Sequence, residues 1–387
     1  MAFDGSVLQA QLLHPRDLDA ADIAAWREIQ SATPAFASPL LGPDFAMAVG
    51  AHRDDARVAI FRRHGQTLGF LAYHQRSGGL ARPIGAPFSD YHALVTRPET
   101  GLSLGQALTA AGLGAYRFNG LIDPHGVTGP QGQRDAYAVH LGAGSGDDYL
   151  EALRAASPKR FKNMRRLESK LDREVGTLSL RAPDFDQAAF DQIVEWKRDQ
   201  FKRTGMHDVL GPDWVRGLMQ DLFERRDGDF QGLMITLYAG ETLIAGHFGI
   251  RQGDQYHPWL ASTDPDLTAY SPGQTFMSCA IRAMPGIGLA AYDLGPGHDH
   301  YKRPFAPEPF HIGEGQVTAD NAAGRAASMR EQAWALAASR PIAGRLKRRL
   351  DQIASVELTA MGRMRGLAGA ITGMAARSQS VVHTPLE

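Results

Sequence analysis

Two stretches of strand-forming residues, one in each half of the chain, limit what this sequence can fold into. ARVAIFRR and QTLGFLAYHQR, joined at His64 and Gly65, are typical of a β-hairpin because β-branched and aromatic residues fill both arms. FQGLMITLYAG followed by ETLIAGHFGIR has the same character. At a constant offset of 175, Gly65, Thr67, Leu68 and Arg76 recur as Gly240, Thr242, Leu243 and Arg251. These four matching positions suggest a duplicated α/β unit. They do not prove one, because unrelated hairpins also share the residues of their turns.

Length and composition fit two such units and an extension. A chain of 387 residues, 43% hydrophobic and 21% charged, is globular and too long for one ordinary core. After about residue 318 the sequence becomes rich in alanine and arginine and poor in strand formers. We therefore predict an α/β protein with a first unit over 1–145, a second over 146–320 and a helical basic tail over 321–387.

The charge balance and the single cysteine limit the kinds of binding partner and the cellular compartment that we expect. A formal net charge of -1 gives no attraction of the whole protein to DNA or to a membrane. Cys279 alone excludes an intrachain disulfide and a cysteine-only metal site, and its apolar helical neighbours indicate a buried thiol. With no secretion signal and no apolar run of the roughly 20 residues that a membrane span needs, we expect a cytoplasmic protein.

Two local patches are strongly basic. The first, SPKRFKNMRR, places Lys159, Arg160 and Arg165 on a predicted helix. These cations form either a solvated helix face or a phosphate-binding face. Between Arg345 and Arg377 a basic amphipathic pattern suits a membrane surface or a partner groove. The alternative for this second patch is a helix packed on its own domain.

The stretch YSPGQTFMSCAIRAMPGIGLAAYDLGPGHDHYKRPF, residues 270–305, concentrates the features of a reaction site. A turn leads into an apolar helical pattern, a second turn follows at Pro285, and a short strand runs through Tyr292. Titratable residues then crowd together. Polar side chains just beyond a buried strand are where α/β folds usually carry their chemistry.

SPKRFKNMRR, then YSPGQTF, then YDLGPG followed by HDHYKRPF resemble, in this order, the CelD/FemAB-like branch of the GNAT acyltransferases over roughly residues 147–318. With its basic tail the chain is most similar to holdfast-polysaccharide N-acyltransferases. The resemblance implies tandem GNAT units with mixed twisted sheets. It implies acyl transfer to an amine of a cell-surface sugar or peptidoglycan precursor, from acyl-CoA (acetyl-CoA above all) or, in the Fem branch, from aminoacyl-tRNA.

The resemblance also assigns candidate catalytic roles. Asp293 and His298 are the candidate bases, since both follow the strand end; a turn cap is the alternative for Asp293. His298 and His300 also admit a metal pair, but no third ligand stands at a recognisable spacing, so we expect no metal. Tyr301 is assigned to protonating the departing thiolate and Lys302 to pairing with a donor or sugar phosphate; rim packing and a surface charge are the alternatives.

Donor and acceptor contacts complete the predicted site. Ser271, Gly273 and Gln274 begin a helix whose free amides suit a pyrophosphate. The common acetyl-CoA loop has two glycines where this chain has one, which leaves the donor open. His257 and Trp259, in the strand DQYHPWLAST, are candidate acceptor contacts, with a core aromatic as the alternative.

For the tail, the holdfast resemblance implies control by cyclic di-GMP and a link to the inner membrane. Arg345 and Arg349 lie one helical turn apart, and Arg348 with Asp351 forms an R-x-x-D spacing. Three functions follow as hypotheses: an N-acyltransferase for an amino sugar of an exported polysaccharide, a Fem-like aminoacyl transferase using tRNA, and a non-catalytic GNAT scaffold that binds cyclic di-GMP.

Overall fold

The fold is that of a computed structural model, which describes residues 7–129, 132–142, 144–297 and 299–337 together with Ile353, residues 355–357 and Met364. Within these residues thirteen strands form one sheet. They are β1 (Gln9–Leu13), β2 (Ala56–Arg63), β3 (Gln66–Arg76), β4 (Leu80–Pro83), β5 (Val95–Thr96), β6 (Ala115–Leu121), β7 (Gly132–His140), β8 (Leu178–Arg181), β9 (Phe230–Ala239), β10 (Thr242–Gln252), β11 (Gln255–Thr263), β12 (Ala291–Pro296) and β13 (Phe310–Thr318).

Helices cover both faces of this sheet. They are α1 (Ala20–Ser31), α2 (Pro43–His52), α3 (Leu104–Ala110), α4 (Gly146–Ala156), α5 (Pro158–Glu174), α6 (Gln187–Thr204), α7 (Asp213–Glu224), α8 (Pro272–Ala283), α9 (Asp299–Lys302) and α10 (Ala322–Ala337). Among the helices in the described ranges, none combines the length and apolar character needed to cross a membrane.

The sheet contains the same strand pattern twice. Its order is β1-β2-β3-β4-β6-β13-β7-β12-β11-β10-β9-β8, with β5 on β3. In the first unit (β1 to β7, α1 to α3) three antiparallel pairs are followed by a parallel pair, β4 with β6. The second unit (β8 to β13, α4 to α9) repeats this, with β11 parallel to β12. The prediction of an α/β fold built from two similar units is confirmed.

The two parallel pairs are short and equivalent. Leu80 and Ala81 pair with β6, and Gln255 and Tyr256, which lie 175 positions later, pair with β12. The offset found in the hairpins therefore continues into the centre of each unit. At the hairpin turns, Gly65 and Gly240 have φ of 76° and 58°, a conformation that glycine adopts without steric cost.

The units exchange their last strands. β7 lies beside β12 of the second unit, and β13 lies beside β6 of the first. β7 and β13 also pair with each other, so the sheet is continuous across the middle of the molecule. The boundaries predicted at residues 145 and 320 stay predictions, but the hydrogen-bond ladder crosses the first of them.

Ile353 and residues 355–357 of the tail contribute to the core between the units. Ile353 and Val356 are 3% and 0% exposed, and Val356 belongs to the largest apolar cluster. The Val356 carbonyl accepts a hydrogen bond of 3.0 Å from Trp214 Nε1 in α7. Arg82 Nη1 of β4 donates to Ser355 Oγ at 2.8 Å. This part of the tail thus packs on its own domain and contacts both units.

Burial of Val356 predicts a stability effect. Val356→Asp places an unpaired polar group in the core and should lower the free energy of unfolding by roughly 3 kcal/mol in urea denaturation. Met364, which is 57% exposed in the same tail, is the matched control. Met364→Asp should change the value by less than about 0.5 kcal/mol. Equal effects of the two substitutions would show that Val356 does not pack here.

Candidate active site

The site begins where β11 and β12 separate. These parallel strands share only two residue pairs, Gln255 with Ala291 and Tyr256 with Tyr292. Beyond them β11 carries an irregularity opposite Phe248 and Gly249 and continues to Thr263 paired with β10 but not with β12. A bulge of this kind bends a strand and leaves a backbone amide outside the ladder. The sheet therefore opens between β11 and β12, towards the start of α8.

The start of α8 lies at this opening. Ser271 is in the left-handed conformation, with φ of 53°, and its side chain makes no capping hydrogen bond. Gln274 N donates to the Ser271 carbonyl at 3.0 Å. A Cβ added at Gly273 would meet only the Thr263 methyl, at 3.4 Å. The predicted donor residues thus form an uncapped helix start with open space in front of it, which suits an anionic group.

A buried histidine between two carboxylates forms the centre of the site. His257 Nε2 lies 3.1 Å from Asp90 Oδ2, and His257 Nδ1 lies 3.4 Å from Asp293 Oδ2. Tyr91 donates its hydroxyl to Asp293 Oδ1 at 2.7 Å, and Gly295 N donates to the same oxygen at 2.7 Å. Asp90 and Tyr91 come from the loop between β4 and β5, so the first unit completes a cluster that the second begins.

The two carboxylates determine the charge of His257. Burial alone would lower the pKa of this imidazole, but Asp293 and Asp90 outweigh burial and raise the pKa to about 9. His257 is therefore an imidazolium at neutral pH. It cannot accept a proton from an acceptor amine there, but it holds both carboxylates in place.

Tyr301 and Lys302 lie next to this cluster. Lys302 is 5% exposed, and its Nζ donates to the carbonyls of Gly295 at 3.0 Å and Pro296 at 2.6 Å. Burial lowers the pKa of Lys302 to about 8, against the opposing effect of Asp90 and Asp293. Partial burial and the charge of Asp90 raise the pKa of Tyr301 to about 12, which keeps its hydroxyl protonated. Lys302 supports the end of β12, and its predicted contact with a donor phosphate stays a prediction.

Trp259 packs into the core between the units. Its ring centroid lies 6.0 Å from that of Phe45 and 5.8 Å from that of Phe88. The indole Nε1 is buried without a hydrogen-bond partner among the described residues. This placement agrees with the alternative of a core aromatic, and the predicted acceptor contact stays a prediction.

The other residues considered in the sequence lie on α5, on α8 or outside the described residues. Lys159, Arg160 and Arg165 lie exposed on α5, whose Phe161 and Met164 are buried. Cys279 is half-buried in α8, and burial raises the pKa of its thiol to about 11. The rest lie outside the described residues, namely His298, Arg345, Arg348, Arg349 and Asp351. Within the described part of the chain, no group of three or more His, Cys, Asp or Glu residues is arranged to hold a metal ion.

Sequence reasoning missed four residues of this region. Asp90 and Tyr91 lie in a loop, 167 residues before His257 and 202 residues before Asp293, which are the partners they contact. No local sequence pattern therefore marks them. His247 on β10 contacts the Tyr292 hydroxyl through Nδ1 at 2.7 Å, and burial lowers the pKa of His247 to about 3. Lys197 on α6 donates to the Ala261 carbonyl at 3.3 Å, and burial lowers its pKa.

A cavity of about 450 Å³ adjoins the cluster between the two units. Tyr91 and Asp293 form part of its wall, and the starts of β11 and β12 form another part. It lies at the paired ends of these strands, whereas the opening towards α8 lies at their free ends.

Part of this chain matches the model of a known protein family. Residues 158–303 match the family model described as an acetyltransferase (GNAT) domain. The matched residues lie within the second unit. No curated protein matches the chain in sequence.

Three solved structures show distant likenesses to the whole fold. One is the C-terminal domain of a putative lysylphosphatidylglycerol synthetase from Agrobacterium fabrum, with 13% identity, a TM-score of 0.46, and 81% of this chain and 96% of that chain covered. FemX has 12% identity and a TM-score of 0.46, with 79% of this chain and 96% of that chain covered. A tandem GNAT protein from the clavulanic acid biosynthesis pathway has 9% identity and a TM-score of 0.44, with 82% and 100% covered.

The charge of His257 predicts a titration. Its pKa in the folded protein, about 9, exceeds the ordinary 6.5, so its contribution to stability is complete below pH 6.5 and is lost as the pH rises through 9. NMR of the labelled ring should show His257 protonated at pH 8. In Asp90→Asn the ring should titrate at lower pH, because one of the two opposing charges is gone. A wild-type ring that titrates near 6.5 would contradict the assigned ion pairs.

Proposed function

We propose that the protein transfers the acyl group of an acyl-CoA, most simply acetyl-CoA, to an amine on an amino sugar of an exported polysaccharide such as holdfast. One observation carries the proposal. A carboxylate held by an imidazolium and a tyrosine stands where β11 and β12 separate, inside the GNAT domain. Acyl transfer to an amine needs this kind of fixed acceptor site beside a thioester.

The donor side follows from the helix start. In this proposal Ser271, Gly273 and Gln274 face the donor diphosphate, since an uncapped helix start carries free amides and partial positive charge. The acyl chain enters between β11 and β12. The amide released by the irregularity in β11 is suited to polarise the thioester carbonyl.

On the acceptor side, Asp293 positions the amine and takes its proton as the new bond forms. The amine nitrogen attacks the thioester carbon, the C–N bond forms, the C–S bond breaks, and the sulfur takes up a proton to leave as a thiol. Tyr301, protonated at neutral pH, is the hydrogen-bond donor for the leaving sulfur. Holding the reactants in this geometry supplies much of the rate enhancement.

The proposal predicts a selective loss of activity. Asp293→Asn should lower kcat for thiol release from acetyl-CoA with a glucosamine acceptor by about 10²-fold or more, because the proton acceptor is lost. Asp199→Asn is the control, since Asp199 pairs only with Lys202 on the surface of α6 in the described structure. Asp199→Asn should change kcat by less than about two-fold. Neither thiol release nor tight binding with any acyl-CoA would overturn the proposal.

Regulation by cyclic di-GMP is the second part of the proposal. Its support is the holdfast resemblance and the arginine spacing of the tail. Ser355 and Val356 contact both units, so a ligand on the neighbouring segment of the tail would act beside the contact between the units. Membrane docking by the tail is proposed on the same resemblance.

The tail hypothesis has a direct binding test. Arg345→Ala combined with Arg349→Ala should abolish cyclic di-GMP binding in calorimetry, because two guanidinium groups that pair with phosphate are removed. Arg363→Ala combined with Arg365→Ala removes the same charge further along the tail and should retain binding. Unchanged binding in the first variant, or no binding by the wild type, would contradict the regulatory role.

A Fem-like aminoacyl transferase is the alternative function. The exposed cations on α5, Lys159, Arg160 and Arg165, favour it because they are available to tRNA phosphates. Such binding would weaken steeply with salt. A protein that consumes acetyl-CoA and does not bind aminoacyl-tRNA at low salt would exclude this alternative.

A further inference from the structure

Two adjoining cavities between the units differ in chemistry. The inner cavity, of about 450 Å³, has Asp293 and Tyr91 on its wall and is otherwise largely apolar, with Pro34, Ile122 and Phe310. The outer cavity has a volume of about 610 Å³. Pro34, Ala37 and Gln255 line both cavities, so the two cavities adjoin at these residues.

The outer cavity is rich in groups that recognise hydroxyls. Arg225, Asp254 and Gln252 lie on its wall, and so does Asp44, which binds Arg27 at 2.7 Å. Asp254 and Arg225 are exposed. Carboxylates accept hydrogen bonds and guanidinium groups donate them, which matches the two abilities of a sugar hydroxyl.

One atom in the outer wall lacks a partner. Gln252 Oε1 is buried and accepts no hydrogen bond from any described residue. Gln252 also lies on the wall of the outer cavity, where its side-chain amide can bond a sugar hydroxyl.

We infer that the acceptor is an oligosaccharide of at least two linked sugars, with the reacting amino sugar in the inner cavity and its hydroxyl-bearing neighbour in the outer one. This rests on the proposed function, since the inner sugar is the one acylated at Asp293. The apolar inner wall suits the face of a sugar ring, and the Asp293 carboxylate suits its amine. A lone monosaccharide would leave the groups of the outer cavity unused.

The test compares acceptors of increasing length on the full chain. With acetyl-CoA, kcat/KM for thiol release should rise about ten-fold or more from glucosamine to its β-1,4-linked dimer, because only the dimer reaches the outer cavity. Equal values for the two acceptors would overturn the inference and leave the acyltransferase proposal standing.

Variants locate the effect. Arg225→Ala and Gln252→Leu should each reduce the dimer-to-monomer ratio of kcat/KM at least three-fold. Arg226→Ala is the matched control, because Arg226 packs over Phe185 at 4.3 Å and is not part of the outer wall. It should leave the ratio unchanged. A ratio that falls equally in all three variants would overturn the inference.

A binding measurement separates this inference from the proposed function. Calorimetry without donor should show tighter binding of the dimer than of glucosamine, and Arg225→Ala should remove the difference. Dimer binding without thiol release would support the inference while the acyltransferase proposal fails. A short amine-bearing peptide that displaces the dimer and is acylated in its place would overturn the oligosaccharide assignment.

Discussion

The active region depends on one buried positive charge shared between the halves of the chain. His257 has Asp293 of its own unit on one side and Asp90 of the other unit on the opposite side. An imidazolium with almost no contact with water is tolerated only while such partners remain. The first unit, although it matches the second only in outline, therefore supplies an electrostatic part of the site.

The exchange of strands between the units fixes the position of the Asp293 carboxylate. β12, which carries Asp293, lies between β11 of its own unit and β7 of the other. Lys302 binds the carbonyls at its end, and Tyr91 binds the Asp293 carboxylate from the side. The carboxylate is thus fixed by neighbours from both units, which is the preorganisation that the proposed acyl transfer would use.

Sequence reasoning recovered what depends on neighbouring residues. Periodicity and turn chemistry predicted both hairpins, the α8 start at Ser271 and the strand through Tyr292, because local conformation depends on local residue types. It missed Asp90 and Tyr91, which meet their partners only through the tertiary fold. It also could not show that Lys302 turns inward to backbone carbonyls, because a lysine after a glycine-rich turn carries no signal of its direction.

The strand exchange also has a consequence for how the chain is made. During synthesis β6 and β7 emerge long before β12 and β13, which are their neighbours in the finished sheet. Until residue 318 has left the ribosome, both strands have unpaired edges, and such edges are where nascent chains associate wrongly. Contacts over so long a separation also slow folding. The two halves must therefore mature together, and the nascent first half needs protection that an ordinary independent domain does not.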